Sequence, residues 1–528
     1  MSLAVSPLQL DKRRATDTCF GIFYGIVVMA TMAVSINAAM NNKIDALLNP
    51  PEECSASGGF DNATSWANAM KEVVPQMPNL GFAVLFSLLI GIVWMAALKT
   101  CAKPIVYGTI LFKGAALVAL LLYLVSIGAP SSTIFFLVII LGLYVLVLFM
   151  WRKKINLTVA LIEQSVAVVQ AHPGIFVASA LIMLLGGIVY AACVVGAFYL
   201  LAAGEWIVVV SETTLATTCE WQFPDGTYPG LALISFCALW SWEMFMALRF
   251  YVVALTSGVW YYSNAALSSH EGGASAPVRN PVTTATRLAF SKSFGSIALA
   301  SLIMYICEQL RRMARRSAQN NGIIGCLIAC CIQCIISYIE FLTRFALVFH
   351  ALTGDDFCTS ARTFTTHLSR HGFTALWVDF LSRFVFQFGA FVLSLVVTGV
   401  CLGIMSQTTS SVTALIILGI FSFVIAVFFL AFVGGILLNV IDACYACLVL
   451  DLDQGAQHQP QMAQCIIVIA NPTYVVQQPG GTLAITTEGG VPVGQPTHAT
   501  AYPPTAVAYP AQAPVAQAYY PQSNLVGR

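Results

Sequence analysis

A carboxylate or guanidinium inside a long apolar run is costly, and such residues mark ion or substrate paths. Eight residues of this kind stand in apolar stretches of the chain: Lys113, Glu243, Arg249, Glu340, Arg344, Asp379, Arg383 and Asp442. Glu243 has the most suggestive neighbours, in the run Leu239-Trp240-Ser241-Trp242-Glu243-Met244-Phe245. On a helix Trp240 and Glu243 share a face. Arg249 lies about 120° further round, so it cannot neutralise Glu243. A carboxylate beside a tryptophan face suits an organic cation, because the ring quadrupole attracts it and the acid supplies net charge. A quaternary ammonium makes no strong hydrogen bonds, so an aromatic box fits it. Trp242, Trp260 and Tyr261 are further substrate-binding candidates on the same run. The competing reading is an interfacial aromatic belt. Trp260 to Tyr262, at the end of the run, fit the belt better than Trp240 does.

The remaining charges admit a structural role. Glu340 and Arg344 stand four apart, as do Asp379 and Arg383. At that spacing the members of a pair share a helix face with the acid in the favoured N-terminal position. Both are expected to be structural ion pairs, since buried charges are normally paired. Lys113 can snorkel to headgroups. Cys326, Cys330 and Cys334 share a face, with Cys331 beside them, but apolar surroundings favour packing over metal binding. Gly354-Asp355-Asp356 is a weak cation signal. The seven histidines are scattered. No phosphate loop, zinc-ligand motif or nucleophile elbow is present. No catalytic residue, metal site or cofactor is therefore expected, nor an enzyme.

The elements that must position these groups are transmembrane helices. Of 528 residues 58% are hydrophobic and 9% charged, against roughly 25% charged in soluble domains. The net charge of +1 argues against a nucleic-acid partner. Apolar runs near 17–39, 80–98, 104–127, 131–150, 173–203, 230–259, 293–310, 322–350, 374–404 and 411–449 predict an all-α, polytopic bundle of about ten spans. Lysine and arginine at 12–14, 99, 103, 152–154, 279, 287 and 292 fall on one side, which the positive-inside rule makes cytoplasmic. The chain then divides into a cytoplasmic N-terminus (1–16), a transmembrane region (17–450) and a cytoplasmic tail (451–528), with outer loops near 40–79 and 204–229. Cys54 and Cys219 are the cysteines assigned to those loops and are expected to form a disulfide. Asn62 is a glycosylation acceptor in the same compartment. Arg311, Arg312, Arg315 and Arg316 break the charge rule after the seventh run. That run is either re-entrant or its arginines pack against protein or headgroups. The tail is rich in Pro, Gln, Ala, Thr and Tyr and is expected to be disordered. It offers polyproline-like segments for a cytosolic partner, although a solvated tail is the simpler reading.

Over roughly 150 to 450 the chain resembles the choline transporter-like family. The best stretch is Cys330-Cys331-Ile332-Gln333-Cys334, then Arg344, Ala346, Gly354, Phe357-Cys358 and Ser360-Ala361-Arg362. Further matches are Arg152 through Ile155 to Leu161-Ile162-Glu163, Phe236 to Trp240, Phe294-Gly295-Ser296, and Asp442 through Cys447 to Asp451-Leu452. Thr343 and Leu347 stand where the family usually has Asn and Tyr, and Ala390 lies near a common lysine position. The first hundred residues match only in layout. The resemblance implies a ten-helix plasma-membrane carrier, with an organelle membrane as the alternative. It implies choline, or ethanolamine, as cargo, moved without sodium by facilitated movement or proton exchange. Competing classes are a channel or scaffold that recruits partners through its tail, and a membrane-embedded enzyme of lipid head-group metabolism.

Overall fold

Helices that are apolar on every face need lipid as their solvent, and lipid in turn demands that backbone polar groups be satisfied within each helix. The computed structural model is built on this pattern. It describes residues 10, 13–41, 43–44, 80–210, 217–266, 280–320, 322–371, 374–407, 412–454, 474–477 and 483–486. The helices are α1 (Thr18–Met40), α2 (Leu80–Ser126), α3 (Ser131–Ala171), α4 (Gly174–Leu201), α5 (Thr227–Ala266), α6 (Pro281–Phe290), α7 (Phe294–Asn320), α8 (Gly322–Thr353), α9 (Phe357–His371), α10 (Thr374–Met405) and α11 (Val412–Gln454). Seven of them are long and apolar enough to cross a membrane, or up to eight if α6 and α7, bent by 75°, count as one span. Ile26, Leu85, Phe136, Leu184 and Val424 are exposed on outward faces, as lipid-facing side chains should be.

Three helices depart from the limits of their apolar runs. α2 leaves helical geometry at Cys101 (φ −130°, ψ 29°). Pro104 lies three residues on; it has no N–H for the Thr100 carbonyl and its ring crowds that carbonyl. α3 fuses the fourth apolar run with the amphipathic segment that follows it into one helix of 41 residues. α7 does not stop at the end of its apolar run but continues through Arg311, Arg312, Arg315 and Arg316 to Asn320.

Not every described element is helical. β1 (Glu205–Val210) and β2 (Thr217–Gln222) pair antiparallel in the expected outer loop, with Val208 opposite Cys219. The β-branched run Ile207 to Val210 favours this extended form. Trp206 packs edge-on to Trp221 at 5.3 Å. Lys43 pairs with Glu205 and holds its carboxyl below the usual range. In the tail, β3 (Tyr474–Gln477) and β4 (Leu483–Thr486) pair antiparallel, so the described part of that segment contains a short hairpin. Cys54 and Asn62 lie outside the described residues.

α5 occupies the centre, packed against α1, α4, α6, α7, α8 and α11. Its run Phe250 to Leu255 is buried without a break. The segment before α1 is stitched to four elements. Arg13 Nη1 donates to Tyr251 Oη (2.9 Å) on α5, and Nη2 donates to the carbonyls of Ala351 (2.6 Å) and Leu352 (3.2 Å) at the end of α8. Asp17 accepts from Ser296 Oγ (2.6 Å) on α7 and from the Phe357 N–H (3.0 Å) that opens α9. Gly354, at φ +81°, turns the chain between α8 and α9, and a Cβ there would lie 3.2 Å from Arg13 Cγ.

Candidate functional site

Two charged networks join helices of the bundle. The first joins α5, α7 and α8. Arg311 Nη1 donates to Glu308 Oε2 (3.0 Å), Arg311 Nη2 to Glu340 Oε2 (2.5 Å), and Arg312 Nε to Glu308 Oε1 (3.3 Å). Glu243 lies within electrostatic reach of Glu308, Glu340, Arg311 and Arg312. Three carboxylates thus face two guanidiniums. One negative charge is left over, and Glu243 is the carboxylate with no ion pair among the described residues. The arginines that break the charge rule therefore begin against protein acids.

Beside this network is an aromatic cluster built by α1, α5 and α7. Trp240 is fully buried. Phe23 (5.4 Å), Tyr24 (5.1 Å, edge-on) and Phe236 (5.3 Å) surround its ring. Its Nε1 donates to Ser301 Oγ (3.0 Å). Tyr24 Oη donates to Ser241 Oγ (2.9 Å), and Tyr305 stands edge-on to Phe236 at 5.1 Å. Trp240 and Glu243 both turn towards α7, Trp240 through Ser301 and Glu243 through Glu308 and Arg312. The faces of Trp240 are occupied by other rings in this conformation.

The other aromatic candidates are not brought to Glu243. Trp242 turns towards α4, where it meets Tyr190 edge-on at 6.2 Å. Trp260 and Tyr261 lie some 17 residues along α5, about 25 Å away at 1.5 Å per residue. Tyr261 Oη donates to Asp451 Oδ2 (2.9 Å), which binds the C-terminal end of α5 to that of α11.

The second network joins α8, α10 and α11. Arg344 Nη2 donates to Asp379 Oδ2 (3.0 Å) and Nη1 to Asp442 Oδ2 (3.2 Å). Arg383 Nε donates to Asp379 Oδ1 (2.8 Å). The pairing of Asp379 with Arg383 within α10 is formed. The pairing of Glu340 with Arg344 is not: Glu340 is drawn across to Arg311, and Arg344 across to two aspartates. Neighbouring helices offer each group a better-aligned partner than its own helix does. This second set is neutral, with two acids and two bases.

Other singled-out residues have ordinary partners. Lys113 Nζ lies 4.1 Å from the Phe384 ring centroid, a cation–π contact. The Asp356 carboxylate accepts from the Thr359 N–H (3.0 Å) and Thr359 Oγ1 (2.7 Å) and so caps α9. Those bonds hold its carboxyl below the usual range. Cys330, Cys331 and Cys334 are exposed. No metal-binding group of three His, Cys, Asp or Glu is found among the described residues.

Sequence reasoning did not single out Glu308, Ser301 or Tyr24. For Glu308 a signal was present, because it stands three and four residues before Arg311 and Arg312. Ser301 and Tyr24 carry none, since their partners come from other helices.

Comparison with known proteins adds an independent line. A family model described as plasma-membrane choline transporter matches residues 135–453, more than half of the chain. A CTL-like protein of Dictyostelium discoideum is 26% identical over 417 residues, covering 72% of this chain and 74% of that protein. Protein PNS1 of Mycosarcoma maydis is 26% identical over 321 residues, covering 58% of this chain and 56% of the fungal protein. A second CTL-like protein of Dictyostelium discoideum is 22% identical and covers 72% of this chain and 63% of its own length. The chain thus spans little more than half the length of the fungal relative.

Proposed function

From the premise that this chain belongs to the plasma-membrane choline transporter family, we propose that it carries choline, and secondarily ethanolamine, across a bilayer. Movement is sodium-independent, either facilitated or in exchange for protons. The observation that carries this reading is the surplus carboxylate. Glu243 sits midway along α5 in a network short of one positive charge, beside the aromatic cluster of α1, α5 and α7. A monovalent organic cation supplies the missing charge without needing a hydrogen-bond acceptor of its own. Trp240, on the same face, lends its ring when α1 moves away from it. Inward movement of a cation is favoured by ~2.3 kcal/mol per 100 mV of inside-negative potential, so no coupling ion is required.

The architecture proposed for this carrier has ten spans and both termini in the cytoplasm. α2 supplies two spans, broken at Cys101, and the first half of α3 supplies a third. An α-helix of 47 residues would be about 70 Å long at 1.5 Å per residue, more than twice the ~30 Å hydrocarbon core. Residues 40–79 and 204–229 then face outward, where Cys54 and Cys219 are proposed to be linked and Asn62 glycosylated. The tail from 451 is proposed to lie in the cytoplasm. The plasma membrane is the proposed location.

The test is radiolabelled choline uptake by purified protein in liposomes under an inside-negative potential. Saturable uptake in the wild type and its loss in Glu243→Gln are expected. Flat choline uptake alongside uptake of another organic cation would redirect the substrate assignment. Unchanged kinetics in Glu243→Gln would remove the site.

A further inference from the structure

Arg249 differs from the arginines of the two charged networks. Arg311, Arg312, Arg344 and Arg383 each have a carboxylate within 3.3 Å. Arg249 sits midway along α5 and has none. Its Nε is buried with no hydrogen-bond acceptor, and no charged group among the described residues is in electrostatic reach. Phe432 on α11 presents its ring to it, 5.8 Å from the guanidinium carbon to the ring centroid. A ring face offsets part of the cost of a desolvated cation, but it accepts none of the five N–H donors that a guanidinium carries. The position facing the fork on α11 is Gly435, where a Cβ would stand 3.6 Å from Nη2. With hydrogen there instead of a side chain, the fork faces bare backbone. A charged side chain this far from headgroups is held in place by a counter-charge, and none is supplied by the described residues.

We propose that Arg249, with Phe432 and Gly435, forms a binding site for a small free anion between α5 and α11: chloride, bicarbonate or a one-carbon carboxylate such as formate. Arg249 donates hydrogen bonds to it, and Gly435 leaves it room. A lipid headgroup phosphate has the same chemistry, but Arg249 lies midway along its helix, away from the headgroup layer. The site faces α11, whereas Glu243 faces α7 and α8, so the anion does not neutralise Glu243. The inference does not rest on choline being the cargo.

The test is thermal unfolding of the purified full-length protein in detergent. Sodium chloride, bicarbonate or formate is titrated against sodium gluconate at constant ionic strength and pH. Wild-type protein is expected to show a saturable rise in Tm with at least one of the three anions, and none with gluconate. Arg249→Gln is expected to abolish the response. Gly435→Val, which fills the space and keeps the charge, is expected to weaken it at least tenfold in apparent Kd. The wild-type titration stands alone if both variants fold poorly. No anion-dependent shift in the wild type would overturn the proposal, as would an equal shift in Arg249→Gln. A shift seen only after adding anionic lipid would assign the counter-charge to headgroups and overturn the free-anion site. Choline uptake does not enter the readout, so failure here is separate from failure of the transport reading.

Discussion

A carboxylate in a membrane helix survives by pairing, by protonation or by facing a cation, and the acids of this bundle divide along those lines. Glu340 is paired with Arg311, so Glu340→Gln also brings the network to two acids and two bases and should weaken choline uptake, but by less than Glu243→Gln does, because the charge it removes lies behind a guanidinium and away from the cargo. Glu243→Gln removes the surplus charge while keeping shape. It should lower choline uptake by roughly tenfold or more, equivalent to at least ~1.4 kcal/mol, at normal folded yield. Uptake kinetics on equal amounts of reconstituted protein separate the two; equal losses in both variants would make the network structural. Asp442 behaves differently, because it is nearly inaccessible and holds one arm of Arg344. Asp442→Ala strands part of a buried guanidinium and should cost ~3–5 kcal/mol, visible as lost folded yield before any change in selectivity. Arg383→Ala leaves Asp379 still paired with Arg344 and should lower folded yield less than Asp442→Ala does. The charged residues themselves were readable in the sequence, and so was the isolation of Glu243 from Arg249. Partners across helices were not readable. A four-residue spacing reports only neighbours on one helix, which is why Glu340–Arg344 was expected where Arg311–Glu340 and Arg344–Asp442 occur.

At the scale of elements, polar contacts at helix termini lock helix ends together. Asp356 is the cap of α9, and substituting alanine should remove ~1 kcal/mol at neutral pH. The Thr359 bonds depress the Asp356 carboxyl, so its contribution is full above the ordinary carboxylate range. It fades as pH falls through the depressed value. Thermal unfolding of wild type and Asp356→Ala should therefore diverge at neutral pH and converge in acid; a constant gap at every pH would deny the cap its charge. The strap formed by Arg13 and Asp17 depends on close approach at Gly295, where a Cβ would collide with the Asp17 carbonyl. Gly295→Ala should lift the strap and expose the Arg13–Arg14 peptide to trypsin added to the purified protein. Cleavage at the wild-type rate would show that the strap tolerates the methyl group. The sequence displayed Lys12 to Arg14 only as basic residues beside a span. Positive-inside counting cannot tell a residue that faces headgroups from one that binds helix C-termini, and the three acceptors of Arg13 lie more than two hundred positions away.

For the molecule as a whole, hydropathy located the apolar runs well because lipid imposes one requirement on all of them: about 20 apolar residues per crossing. It was less informative where a helix outlasts its apolar run. α3 and α7 carry on past it, the first into an amphipathic segment and the second into a run of arginines whose first two, Arg311 and Arg312, pair with Glu308 and Glu340. Hydropathy was also silent on the β1–β2 hairpin, which comes from the β-branched run at 207–210. The decisive question of topology falls on α2. If it crosses once, the turn at Gly128 to Pro130 lies in the cytoplasm. If it folds back at Cys101, where Pro104 removes a hydrogen bond and Lys99 and Lys103 flank the break, that turn lies outside. Two lysines at the break favour a cytoplasmic position for it, and each half of α2 is long enough to span. An epitope inserted between Gly128 and Ala129 should therefore bind antibody on intact cells, whereas one at the C-terminus should bind only after permeabilisation. Gly128 is at φ +68° in a tight turn, so the insertion lengthens a connection without entering a helix. Binding at Gly128 that also required permeabilisation would reduce α2 to a single crossing and place Lys113 and Phe384 in a differently threaded bundle.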